Sequence, residues 1–394
     1  METLRILWLN HRDPKHPEAG GAEVHLWEVS RRIASLGHEI TIFSERFKGA
    51  PKHETLGNIE IYRSGNKISI YPNAVLNYFT KFRGRCDIVV DDIAHAIPWF
   101  TPLYVKEPVI AIIHHVHREI LNLELPQPYA RIALMAEGSI PRIYRNVPFI
   151  TVSESTKNAL KSMGIPESSI SVIPLGIDES RYKPNWRRKS PFPHILYLGR
   201  IKKYKNIDHV LEAVKLAAKE IPNLRFSIAG KGDKSVIKAL LYSAKRMGLK
   251  SIVKFHGEVT EKEKIRLLQE AWIYVTASMR EGWGLSVIEA AACGTPAVAY
   301  NVEGLRDSIL NGKTGLLAPY GDKKALAELI IRILTDDRLR RRLSQAAVEW
   351  AKSFSWDETA KRTLKVFAEA AASLNQISGE SFFGDKMTFH YEGY

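Results

Sequence analysis

Two carboxylates bracket a Gly-Trp-Gly turn in Ser278-Met279-Arg280-Glu281-Gly282-Trp283-Gly284-Leu285-Ser286-Val287-Ile288-Glu289-Ala290. The glycines make a sharp turn and the apolar run from Leu285 starts a helix, whose first amide N–H groups complement a pyrophosphate. Glu289 falls about one turn into that helix, among Val287, Ile288, Ala290, Ala291 and Ala292. A charge in that company wants a partner, and a carboxylate can accept from the two vicinal hydroxyls of a ribose. The plain alternative is a solvated helix residue. Upstream, Leu198-Gly199-Arg200 is followed by Lys205. Glycine permits close approach there, while a forked guanidinium and an ammonium suit neighbouring phosphate oxygens.

Two further loops carry residues fit for chemistry. Pro17-Glu18-Ala19-Gly20-Gly21-Ala22-Glu23 opens a helix, and its paired glycines read equally as an anion-facing backbone or a tight turn. His114-His115-Val116-His117 has no carboxylate or cysteine at a metal-ligand spacing nearby, which argues against zinc. A histidine at a strand end is placed for hydrogen bonding or proton handling. His115 and His117 read as ordinary loop residues.

These loops need elements to aim them. Residues 4–9, 39–43, 59–62, 87–90, 109–113 and 149–152 are Ile- and Val-rich runs of buried-strand length. Between the first two, residues 23–36 space Val24, Leu26, Trp27, Ile33 and Leu36 for an amphipathic helix stopped by Gly37. A second series of strands is expected at 194–198, 224–229, 252–255, 272–275 and 296–300. Helices fit 207–220, 236–247, 261–271, 286–293 and 323–334. This alternation predicts an α/β chain of two Rossmann-like, doubly wound domains facing a central cleft, with ligands at the carboxyl ends of the strands. Prolines and a basic cluster at 176–193 mark the join, so the domains are expected at 1–174 and 175–355. A last helix, 356–372, starts after the N-cap candidate Ser355, and 379–394 reads as an aperiodic, mobile tail.

Composition narrows the class. The chain has 394 residues, 45% hydrophobic and 25% charged, which excludes collagen-like, disordered and coiled-coil chains. The run 109–113 is interrupted upstream by Lys106 and Glu107, far short of the ~18–20 apolar residues of a membrane span. With only Cys86 and Cys293, and no leader-like segment before the first strand, a cytoplasmic protein is expected. Of the net +14, +12 lies beyond residue 173, an excess suited to nucleic acid, an anionic membrane or a phosphorylated small molecule. Arg187-Arg188-Lys189 and Arg340-Arg341-Arg342 read as solvated faces.

Glu281-Gly282-Trp283-Gly284 with Glu289, continuing through residues 290–298, resembles the E-x7-E signature of retaining glycosyltransferases of family 4, which have the GT-B fold. Ordered matches run along the chain: Gly20-Gly21, His114, Val152-Ser153-Glu154-Ser155, the stretch 172–178, Gly199-Arg200 with Lys205, Gly230-Lys231-Gly232 and the stretch 312–317. The resemblance implies sugar transfer from a nucleotide-sugar donor with retention at the anomeric carbon and no metal or other cofactor. It assigns Arg200 and Lys205 to the diphosphate leaving group, Glu281 to donor-sugar hydroxyls and Glu289 to the ribose. Backbone of Gly20, Gly21, Gly199, Gly282, Trp283, Gly284 and Leu285 would line the donor, with the base near Val259. His114 would stand beside donor sugar and acceptor as a positioning and stabilising group. Members often return their final helix to the first domain. Leu175, Trp283 and Asp307 depart from commoner family residues without touching the phosphate site.

The acceptor is left open as a glycan, a lipid-linked molecule or a small molecule. Residues 117–145 mix Arg118, Arg131, Arg142 and Arg145 with Leu, Ile and Tyr. They read either as a peripheral contact at the inner membrane face or as packing on their own domain. A dinucleotide-dependent oxidoreductase is disfavoured by the missing G-x-G-x-x-G. A nucleic-acid binder is disfavoured because aromatics do not interleave the charge runs.

Overall fold

The computed structural model describes residues 3–380, and side chains as far as residue 372. The tail expected to be mobile lies outside the described residues from 381 onward, while residues 379 and 380 close the helix Trp356–Glu380.

The first sheet contains β1 (Arg5–Leu9), β2 (Glu39–Ser44), β3 (His53–Leu56), β4 (Ile59–Arg63), β5 (Ile88–Asp92), β6 (Val109–Ile113), β7 (Phe149–Thr151) and β8 (Ile170–Val172). Their spatial order is β3-β4-β2-β1-β5-β6-β7-β8. β1 pairs in parallel with β2 and β5, β2 with β4, and β5 with β6. The second sheet contains β9 (His194–Leu198), β10 (Arg225–Ala229), β11 (Val253–Gly257), β12 (Ile273–Thr276), β13 (Ala297–Tyr300) and β14 (Gly315–Ala318). It is ordered β11-β10-β9-β12-β13-β14 with parallel pairs. Central strands such as β9 and β12 are buried along their whole length, as sheets covered on both faces require.

One departure from the all-parallel expectation is the edge pair β3–β4, which is antiparallel. Its strands are joined by Gly57-Asn58 alone, and a two-residue link cannot carry a chain back to a parallel start.

Backbone contacts divide the molecule into two units. The first takes residues up to Ile112, Ile140–Ile150 and the described residues from Ala360; the second takes Ile113–Ser139 and Thr151–Thr359. In the first, Phe367 of the final helix meets Trp8 of β1 edge-on, ring centroids 5.7 Å apart, and the Trp8 indole donates to Asp92 Oδ2. That helix is capped at its start, where Glu358 N donates to Ser355 Oγ at 3.1 Å.

Two basic runs are less solvated than their composition implies. Arg341 and Arg342 are exposed, but the Arg340 guanidinium lies 3.7 Å from the Trp272 ring centroid. Lys189 donates to Ala271 O and Thr295 Oγ1, each at 2.7 Å, and burial lowers its ammonium to about 7.

Asp91, next to last in β5, is fully buried and accepts from the Tyr144 hydroxyl, from Thr101 Oγ1 at 2.7 Å and from Trp99 N at 3.3 Å. Burial raises its carboxyl from 3.8 to about 6, the hydrogen bonds opposing the rise. The folded state therefore holds the extra proton, and this group's contribution to stability, full at acid pH, is lost as pH rises through about 6. Asp91→Asn should gain on the wild type by on the order of 3 kcal/mol between about pH 4 and pH 7. Urea unfolding at both pH values checks this; a constant difference would show that Asp91 does not titrate in that window.

Candidate active site

The candidate site grows from the carboxyl ends of β9 and β12 and from the loop after β6, all in the second unit. Beyond β9, Gly199 N donates to Ala229 O and Ile201 N to Lys231 O, zipping residues 199–201 to residues 229–231. A Cβ on Gly230 would lie 1.9 Å from Gly199 O, so only glycine lets these backbones meet. The Tyr197 hydroxyl donates to Arg200 O at 2.8 Å and fixes the turn that presents the exposed Arg200 side chain.

Lys205 reaches Glu281 Oε1 at 2.5 Å, and the same oxygen accepts from Ser278 Oγ at 2.7 Å. Burial alone would lower the Lys205 ammonium, but the Glu281 charge holds it above its ordinary value. It stays a cation in a place from which water is largely excluded. Two backbone bonds support the geometry: Met279 N to Tyr204 O and Glu281 N to Glu303 O.

The loop that carries Glu281 also grips the loop that carries His114. Arg280 Nη1 donates to Val116 O at 2.9 Å, and its Nη2 pairs with Glu303 at 2.9 Å and Glu119 at 3.5 Å. A Cβ on Gly282 would stand 2.7 Å from His114 O, so the two backbones touch. His114 is buried, its carbonyl accepting from Thr156 Oγ1 at 3.1 Å. His115 is driven well below its ordinary value by burial, with the charges of His117, His114, Lys205 and Arg280 adding to the effect, so it stands neutral beside the cations. His117 serves structure: its amide donates to Glu137 Oε1 at 2.6 Å and its ring packs on His115.

Gly284, in a left-handed conformation, precedes the helix Leu285–Ala292 and leads into its first turn. Glu289 is buried in the second turn, and its Oε1 accepts from Lys264 Nζ at 2.6 Å and the Tyr182 hydroxyl at 3.1 Å. Burial raises the Glu289 carboxyl, opposed by the Lys264 ammonium, while the Tyr182 hydroxyl is pushed far up and remains a donor. The single Tyr182 hydroxyl proton is shared between Glu289 and Glu261, whose carboxylate lies nearer.

Residues 178–350 match the family described as Glycosyl transferases group 1, and residues 19–181 match Glycosyltransferase Family 4. The chain belongs to the family 4, group 1 glycosyltransferases. It is 26% identical over 418 residues to a D-inositol 3-phosphate glycosyltransferase of Streptomyces bingchenggensis, across 95% of this chain and 91% of that protein. Among solved structures it resembles a sucrose-phosphate synthase from Thermosynechococcus elongatus, with TM-score 0.80, 21% identity and 94% and 100% of the two chains covered. HepE of Anabaena in complex with UDP and glucose matches with TM-score 0.73 and 17% identity, over 93% and 100% of the chains. These likenesses establish the GT-B fold. This glycosyltransferase moves a sugar from a nucleotide-sugar donor to an acceptor, in a family that typically needs no metal.

Within the glycosyltransferase's second unit, Arg200, Lys205, Glu281, Gly282 and His114 sit on loops tied to one another. Trp283 is buried edge-on against Phe354 at 5.0 Å, so its indole packs the turn from beneath. Val259, half-buried, follows β11. Gly20 and Gly21 belong to the first unit, where Gly21–Ser35 is helical and Gly20 N donates to Glu23 Oε2 at 2.6 Å. There the chain's own carboxylate occupies an amide that could have met an anion.

Reading the sequence missed Lys264, Tyr182, Ser278 and the bridging role of Arg280. Ser278 and Arg280 lie inside the singled-out segment. Lys264 and Tyr182 carry no local signal, since only the fold brings them to Glu289. Gly282→Ala should cost roughly 1–3 kcal/mol, because the added methyl meets backbone that cannot rotate away. Chemical denaturation reads the loss; an unchanged midpoint would mean that the His114 contact is slack.

Proposed function

We propose that the donor diphosphate binds at Arg200 and Lys205, the ribose at Glu289 and the donor-sugar hydroxyls at Glu281. The observation that carries this reading is Lys205, a largely buried ammonium paired with Glu281, which keeps it charged. As the leaving group departs, negative charge grows on the β-phosphate and the sugar becomes oxocarbenium-like. A cation already desolvated and fixed stabilises that charge without reorganising. Arg200 adds a forked donor from the adjoining turn.

Glu281 keeps Ser278 and Lys205 as partners, so its carboxylate is aimed before any sugar arrives. Retention follows the family's chemistry by a front-face route, in which the departing phosphate takes the acceptor's proton. His114 then positions and stabilises. Gly199, Gly282, Gly284 and Leu285 bring backbone close to the donor, Val259 adjoins the base, and Trp283 holds the turn from behind. From the first domain Gly21 contributes backbone, the Gly20 amide being held by Glu23. No metal or other cofactor is assigned to the reaction.

We further assign 1–174 to the acceptor side and 175–355 to the donor side, with the chain cytoplasmic. No helix among the described residues is long and apolar enough to cross a membrane. The acceptor is a glycan, a lipid-linked molecule or a small molecule. A peripheral membrane contact through 117–145 is supported by the helix Tyr129–Gly138, which turns Tyr129, Ile132 and Met135 outward at three-residue intervals.

Lys205→Ala and Glu289→Ala should each lower turnover by about 100-fold or more with the circular dichroism spectrum unchanged. Wild-type rates from both variants would refute the assigned site. A panel of nucleoside diphosphates should raise the melting temperature in proportion to occupancy, ranking the bases. The rise should vanish in Lys205→Ala at ligand concentrations that shift the wild type.

A further inference from the structure

The helix Ile70–Asn77 and the turn Tyr78–Phe82 bury one face and leave the other apolar and basic. Inward, Ile70, Ala74, Tyr78 and Phe82 join the core beside Leu7, Phe43 and Val89. Outward, Leu76 is 59% exposed and Phe79 49%, and the Arg83 guanidinium lies over the Phe79 ring at 5.7 Å. Lys81 reaches over Tyr62, and Arg83 and Arg85 follow, all exposed. Tyr104 packs on Tyr78, and Lys106 N donates to the Tyr78 hydroxyl, which brings another exposed cation to this face.

Charge here has one sign. No acidic residue occurs between Glu60 and Asp87. Asp87 is paired with Arg5. Glu107 is turned to Gly84 N and the Tyr78 hydroxyl, at 2.8 and 2.5 Å, and Glu60 adjoins Tyr62 on β4. Among the described residues none of Lys81, Arg83, Arg85 and Lys106 is ion-paired. Large apolar side chains turned to solvent beside unpaired cations match an interface of hydrocarbon beneath anionic headgroups.

We propose that this face docks the protein on an anionic lipid bilayer, with Leu76 and Phe79 entering the acyl boundary and Lys81, Arg83, Arg85 and Lys106 meeting lipid phosphates. Each basic residue near a negatively charged leaflet adds attraction that salt screens, while the apolar pair adds a part that salt does not remove. The face uses other residues than the membrane reading of 117–145 and stands apart from the assignment of the donor site.

Co-sedimentation of the full chain with vesicles tests it, using equal parts phosphatidylglycerol and phosphatidylcholine against phosphatidylcholine alone. The wild type should bind the mixed vesicles and leave the neutral ones. The triple variant Lys81→Glu, Arg83→Glu, Arg85→Glu should bind at least tenfold more weakly. The pair Leu76→Ser, Phe79→Ser should lose the binding that survives raised salt. Circular dichroism and nucleoside diphosphate binding should match the wild type in both, since these side chains face solvent. Equal binding to both vesicle types, or wild-type binding by both variants, would overturn the proposal. So would loss of binding in Ile132→Ser, Met135→Ser alone, which would transfer the contact to 117–145.

Discussion

Two stretches of backbone meet at Gly282 with no volume for a methyl group between them, and the site depends on that approach. The residue facing Gly282 is His114, and Arg280 crosses the same seam to Val116 O. The loop bearing Glu281 and the loop bearing His114 therefore cannot shift independently. A second contact of this kind, Gly230 on Gly199, sets the turn that carries Arg200. Rigid backbone seams hold charged side chains to a narrower range than long flexible side chains could hold one another.

Charge compensation is the other organising feature. Lys205 and Lys264 are each largely taken out of water beside a carboxylate, Glu281 and Glu289 respectively. Burying either member alone would be costly, and pairing offsets much of that cost. Under the proposed assignment, a ligand that brings phosphate and hydroxyl groups exchanges partners with groups already largely desolvated. The neutral state of His115 fits the same logic, since burial penalises its charged form and a further cation beside Lys205 and Arg280 would be repelled. In the proposed site, electrostatics orders these groups ahead of any ligand.

Legibility in the sequence followed burial and length. Strands buried on both faces, such as β6 and β9, announce themselves as short runs of Ile, Val and Leu and match their expected bounds. β3 is short and mostly polar, β8 is only three residues long, and β14 is a four-residue run without β-branched residues; all three escaped. So did the helix Asp337–Ala351, whose buried Leu339, Leu343, Ala347 and Ala351 recur every four residues among charges. Its three arginines drew the reading toward solvent, yet Arg340 stacks on Trp272. The antiparallel edge pair had its signal in Gly57-Asn58, which was overlooked.

By itself, the amino-acid order determined which loops are proposed to hold the chemistry, because a turn of glycines before a helix and a carboxylate among alanines are local patterns. It also determined the family, through motifs that recur in a set order along the chain. Only tertiary structure decided which groups hold those residues. Lys264 and Tyr182 converge on Glu289 from distant positions, Arg280 bridges to Val116, and Glu23 takes the amide at Gly20 that had been left open for an anion. The physical reason is that hydrogen bonds and ion pairs act over a few ångströms in space. Neighbours across a fold leave no trace in spacing along the chain.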